Sequence, residues 1–272
     1  MRLDQNPAFS PTHLPRQGKP LRTPGLLPHA GGTANSFNRL SAELPDDIEL
    51  LAFQYPGRQE RRMEPCAEQI GELAEEAAAE LSAHTDCPLF VLGHSMGTLV
   101  AFETARLLEQ RAGVARLFAS AARPPAQDWE EPDLDPLGDN DIVAELRRLG
   151  GIPEPLLKDE DIVGEALRLL RADHRALLRY VCTPETALSI PITVLLADAD
   201  PKNTLEQMRE WAQHTTAELT VEVLSGGHFA LTAPNSGVAP RLTGQIREDL
   251  AHGSTGSGCG SCAPEGPEQE TR

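Results

Sequence analysis

A doubly wound, mostly parallel α/β sheet with an inserted helical lid is the architecture that the sequence predicts, and three observations predict it. Apolar runs rich in β-branched residues alternate with segments of helical period. Turn-rich stretches follow several of those runs, at the strand ends where a doubly wound sheet binds its ligands. About seventy residues separate two of the runs, more than one crossover needs.

Taken in order, residues 1–20 carry Pro, Gln, Asn and Thr without period and predict a disordered arm. Leu21-Arg22-Thr23-Pro24-Gly25-Leu26-Leu27 stands where a first central strand belongs, but Pro-Gly removes a ladder donor and invites a turn. Either a stub remains at Leu26-Leu27 or the chain start differs. Ser36 to Leu44 reads as a short helix and Ile48 to Phe53 as a strand. Residues 67–84 form a helix whose apolar face holds Ile70, Leu73, Ala77 and Leu81.

Leu89-Phe90-Val91-Leu92 is a buried strand that runs into Gly93-His94-Ser95-Met96-Gly97, and Thr98 to Gln110 continues at helical period. Ala115 to Ser120 returns as a strand. The Pro- and acid-rich loop 123–138 follows, and Asp139-Asn140-Asp141 caps a helix carrying Ile142, Val143, Leu146 and Leu149, ended by Gly150-Gly151. A second cap near Asp159 opens a longer helix through Ile162, Val163, Leu167, Leu170, Leu177 and Leu178. This helical pair is the lid, residues 123–185, set into a core of 21–122 and 186–251. A purely structural excursion is the alternative for it. Ile192 to Leu196 and Leu219 to Leu224 are the last strands, with helices at Thr204 to His214 and Asn235 to Ala251. A disordered tail, 252–272, closes the chain.

Gly-x-Ser-x-Gly between a strand and a helix makes Ser95 a candidate nucleophile, because the sharp turn lifts its hydroxyl above the sheet. The alternative is an ordinary turn with a passive serine. An alcohol needs a base and an orienting acid. Asp198 and Asp200 end the strand 192–196, and His228 follows Gly226-Gly227 after the last strand. Ser, Asp, His is the chain order of the α/β-hydrolase fold. The tetrahedral intermediate also needs preorganised donors. Met96, directly after the nucleophile, supplies one amide, and Ala30 in the Gly-rich loop Pro28-His29-Ala30-Gly31-Gly32 supplies the other. His29 and His94 sit beside those donors and suit supporting hydrogen bonds.

Together with Gln54-Tyr55-Pro56-Gly57-Arg58 and Gly226-Gly227-His228-Phe229, these motifs resemble the type II thioesterases of polyketide and nonribosomal peptide pathways. The resemblance spans about residues 26–250. It implies a stand-alone editing enzyme that removes acyl groups from the phosphopantetheine arm of acyl or peptidyl carrier proteins, through an acyl-enzyme and without a cofactor. It also assigns the triad acid to Asp200, immediately before Pro201, with Asp198 as the alternative. A carboxylesterase on free esters and a non-catalytic carrier-binding module, the latter suggested by the irregular first strand, are the rival functions.

A chain of 272 residues that is 40% hydrophobic can bury a full core. No apolar run approaches the roughly 18 residues of a membrane span, and the N-terminus has no signal-peptide pattern, so a cytoplasmic monomer is expected. Five cysteines, an odd number, argue against a disulfide framework. Cys259-x-x-Cys262 lies in the Gly/Ser-rich tail without a second ligand pair, so no metal site is read there. A formal charge of −17 speaks against nucleic acid, which requires a basic face. Carrier recognition then calls for a local basic patch, and Arg58, Arg61 and Arg62 are the candidates, with a plain solvated loop as the alternative.

Overall fold

The computed structural model describes residues 9–11, 23–48, 50–84, 88–109, 113–127, 132–151 and 154–253. The rest of the expected arm, the 254–272 part of the expected tail, and Cys87, Cys259 and Cys262 lie outside these residues. The chain runs through β1 (Phe9–Pro11), β2 (Thr23–Leu27), α1 (Asn38–Glu43), β3 (Leu51–Phe53), α2 (Ile70–Leu81), β4 (Leu89–His94) and α3 (Met96–Leu108). It continues through β5 (Val114–Ser120), α4 (Asp139–Leu149), α5 (Glu160–Leu178), β6 (Ile192–Ala197), α6 (Leu205–Arg209), β7 (Leu219–Leu224) and α7 (Val238–Gly253).

Among the described residues the sheet has the order β1-β3-β2-β4-β5-β6-β7, and only β1 is antiparallel to its neighbour. The chain winds outward from β2 to β3 and then returns to the other side of β2 for β4. The order therefore reverses between β2 and β4, and Leu27 and Gly93 end up as register partners at the two carboxyl ends. A switch point of this kind opens a crevice above the strand ends.

Side chains of the central strands alternate between two apolar layers. Leu89 and Val91 join α2 and α3 on one face, while Phe90 and Leu92 join α1 and α7 on the other. Burial on both faces explains why these strands read as continuous apolar runs.

Three expectations need correction. β2 is a full five-residue strand despite Pro24 and Gly25, not a stub. A Cβ at position 25 would lie 2.8 Å from the Leu81 side chain, so the glycine gives α2 the room to pack on the strand. Residues 9–11, expected within the disordered arm, form β1, an edge strand whose last residue is Pro11, where a missing ladder donor is tolerated. The strand expected from Ile48 narrows to Leu51–Phe53.

Between β5 and β6 lie α4 and α5. α4 ends at Gly150, which takes the left-handed conformation at φ 77°, and Asp159 caps α5 by accepting the Asp161 and Ile162 amides at 3.1 and 3.2 Å. Gly138, not an acid, holds the α4 cap, and Asp139 and Asp141 instead face the dipole from the first turn. A small apolar cluster of Leu134, Ile142, Leu167 and Leu170 joins the pair.

Candidate active site

Ser95 follows β4 with φ 53° and ψ −124°, a conformation that L residues rarely adopt. The turn holds because its neighbours are glycines. A Cβ on Gly93 would meet the Gly97 carbonyl oxygen at 2.2 Å, and one on Gly97 would meet the Leu27 carbonyl oxygen at 2.1 Å. No other residue fits either position without moving backbone. The Ser95 amide donates to the Ser120 carbonyl at 2.8 Å and the Thr98 hydroxyl to the same oxygen at 3.0 Å, which pins the turn to β5.

His228 reaches Ser95 from the loop after β7, with its Nε2 3.2 Å from the serine Oγ. Its Nδ1 lies 3.0 Å from Asp200 Oδ2, and only 4% of the imidazole side chain is exposed. The two carboxylates after β6 divide the work. Asp198 accepts the Gly226 amide at 2.9 Å and so braces the histidine loop, while Asp200 is the one that meets the ring. Asp200 Oδ1 accepts the Lys202 amide at 2.9 Å and Oδ2 accepts the Asn203 side chain at 2.7 Å. Burial pushes this carboxyl up, but the hydrogen bond and charge of His228, with the Lys202 and Asn203 donors, outweigh it and hold it below the ordinary value.

Two further histidines crowd the same place. His94 sits with its ring 5.5 Å from that of His228, and its Nδ1 bonds Ser120 Oγ at 3.1 Å. His29 Nδ1 bonds the Ala30 carbonyl at 2.9 Å. Burial pushes His29 down to about 4 and His94 well below the usual imidazole range, so both are neutral near pH 7. Of the three rings, His228 is the one bonded to both a carboxylate and the serine.

Ala30 lies on the loop after β2 and lines the same cavity as Ser95. Met96 is the first residue of α3, so its amide has no acceptor within the helix. The cavity holds about 310 Å³ above Ser95 and His228. Its lid side is Leu134, Ile142, Leu146, Leu149 and Leu170, and its floor adds Ala121 and Phe229. Apolar walls around a few convergent polar groups suit an acyl chain.

The Gln54 to Arg58 motif takes a role other than the expected basic patch. Arg58 is 1% exposed and pairs with Asp173 of α5, and Arg61 is 7% exposed and pairs with Glu64 and Glu76 at 2.5 and 2.7 Å. Only Arg62 of the three faces solvent. The motif instead holds the loop after β2: Tyr55 donates to the Pro28 carbonyl at 3.1 Å and Gln54 accepts the Ala34 amide at 2.7 Å. Asp173 and Asn203 escaped the sequence reading. Asp173 had a signal, since a carboxylate stands on the α5 stripe of Leu170 and Leu177.

The thioesterase domain family model matches residues 25–249. The chain belongs to this family. It is 43% identical over 210 residues to thioesterase PikA5 of Streptomyces venezuelae, which takes in 75% of this chain and 74% of that one. A Streptomyces griseus relative, named as a thioesterase of cadicidin biosynthesis, is 40% identical over 226 residues, 83% of this chain. The chain spans 62% of the length of that relative. Among solved structures, the type II thioesterase BorB from the borrelidin biosynthetic cluster superposes with a TM-score of 0.76 at 35% identity, covering 92% of this thioesterase and 100% of BorB. The α/β-hydrolase architecture is thus shared. Among the described residues no helix of this thioesterase is long and apolar enough to cross a membrane.

Proposed function

We propose that this thioesterase edits polyketide or nonribosomal peptide synthesis by hydrolysing acyl or aminoacyl thioesters from the phosphopantetheine arm of carrier proteins. The observation that carries this reading is the unbroken relay from Ser95 through His228 to Asp200 at the base of a lidded apolar cavity. Ser95 attacks the thioester carbonyl while His228 takes its proton, and Asp200 keeps the imidazole in the tautomer that presents Nε2 as acceptor. The amides of Ala30 and Met96 bind the oxyanion. His228 then returns the proton to the departing pantetheine thiol and activates the water that releases the acid.

The close approach of Leu27 and Pro28 to Gly97 supports the pairing of those two amides, because it brings the loop after β2 against the elbow. Each such donor is worth about 3 to 4 kcal/mol in the transition state. The irregular first strand, which suggested a non-catalytic module, is complete. Hydrolysis of a panel of acyl-loaded carrier proteins, set against matched free oxygen esters, tests the substrate. Faster turnover of the carrier thioesters is expected, and a preference for the oxygen esters rejects the assignment in favour of a carboxylesterase.

A further inference from the structure

The lid touches the loop that carries Ala30 through a buried charge. Asp173 projects from the inner face of α5 and is 3% exposed. One of its oxygens, Oδ2, accepts the Gly31 amide at 2.6 Å and also the Arg58 guanidinium. Arg58 is itself fully enclosed, donates its other terminal nitrogen to the Pro56 carbonyl at 3.0 Å, and lies 5.0 Å above the Tyr55 ring. Tyr55 in turn donates to the Pro28 carbonyl at 3.1 Å. Loop 28–31 is therefore gripped at Pro28 from below and at Gly31 from the lid, with the Ala30 amide between the two grips. One turn before Asp173, Leu170 packs within 3.4 Å of where a Gly31 Cβ would stand, and Gly31 turns at φ 72°.

A buried ion pair spanning more than a hundred residues is an expensive way to hold a surface helix, since its desolvation offsets most of its attraction. The accepted Gly31 amide indicates what the pair does beyond stability. We infer that Asp173 is a positioning residue for the oxyanion hole: it fixes the peptide after Ala30, so the Ala30 donor is aimed only when α5 is seated on the core. The lid and one oxyanion donor then form a single mechanical unit.

This inference rests on the proposed serine mechanism but not on the identity of the substrate, and its test is chosen accordingly. The rate of Ser95 phosphonylation by a small fluorophosphonate is measured for the wild-type chain and two variants. That step forms the Oγ–P bond, expels fluoride, passes the serine proton to His228, and develops charge in the same hole. Asp173→Asn keeps the shape and one acceptor oxygen but removes the charge that the Gly31 amide and Arg58 meet at Oδ2, and should lower the rate about 10-fold. The double variant Arg58→Met with Asp173→Leu leaves no buried charge unpaired, and should lower it about 100-fold, the order of losing one donor. Both should keep the wild-type pH midpoint of the reaction and a near-native melting curve. A wild-type rate in either folded variant overturns the inference, and so does a slowed rate with a shifted pH midpoint, which would place the damage in the triad. If the double variant does not fold, Asp173→Asn decides alone. A wild-type chain inert to the reagent would instead refute the serine mechanism itself, whereas a failed carrier-protein assay with normal labelling would refute only the substrate.

Discussion

Beneath the cavity, Leu92, Phe118 and Leu195 are no more than 2% exposed and pack strand against strand, whereas above it α4 buries Ile142 alone. α4 and the loop before it are tied instead by ion pairs: Arg171 with Asp139 and Arg175 with Asp135 at 2.8 Å, and Arg148 with Glu145 at 2.7 Å. Burial of a large apolar side chain contributes about 1.5 to 3 kcal/mol, while an exposed pair contributes about 0 to 1 kcal/mol. The difference teaches where rigidity is needed. The elbow, the histidine loop and α5 rest on the densely packed core, whereas α4 rests on exposed pairs and on the small cluster it shares with α5.

Removing the nucleophile should separate the two regions most sharply. Ser95→Ala should lower kcat by about 10⁶-fold with little change in melting temperature, because the loss is chemical and not structural. A carrier-thioester assay with a melting curve on the same sample checks both halves. Next comes a matched pair of cavity-creating changes. Phe118→Ala in the sheet should cost about 3 to 5 kcal/mol of global stability, and Leu170→Ala in the lid about 2 kcal/mol. Amide exchange should show the first change spread over the sheet and the second confined to α4 and α5.

Acid should weaken the core side first. The unfolded chain protonates His29 near 6.5, but the folded chain resists until about 4, so stability falls as pH drops through that window. His29→Gln should flatten the loss by about 2 kcal/mol, measured by urea unfolding at pH 7 and pH 4.5. Asp200, held below its ordinary value, contributes stability that is lost only at still lower pH, as it protonates in the fold. The smallest effect is that of salt. Raising the ionic strength to 1 M should speed proteolysis of α4 and α5 while leaving sheet protection unchanged, since exposed pairs are screened and buried contacts are not.

The same contrast decides what could be read from the sequence. The elbow was legible because its signal is local: two glycines, a serine, an apolar strand before it and a helix after it. Asp200 and His228 were legible as turn residues behind apolar runs, and α4 and α5 as two amphipathic segments. Pro24-Gly25 obeys a local turn rule that pairing with β3 and β4, both far along the chain, overrides. β1 has three residues and too little pattern to show itself. Arg58 reads as surface charge because nothing near it in sequence announces Asp173, 115 residues away, as its buried partner. Motif residues behind strands were readable, and the buried pairing of Arg58 with Asp173 was not.

The central claim is that Ser95 carries the acyl group between the thiol and water. Time-resolved intact mass of the chain, mixed with an excess of acetyl-loaded carrier protein, measures this directly. The account predicts a transient acetyl adduct on Ser95, accompanied by a burst of free carrier thiol equal to the enzyme present, and neither in Ser95→Ala. Release of thiol by Ser95→Ala at the wild-type rate would contradict it.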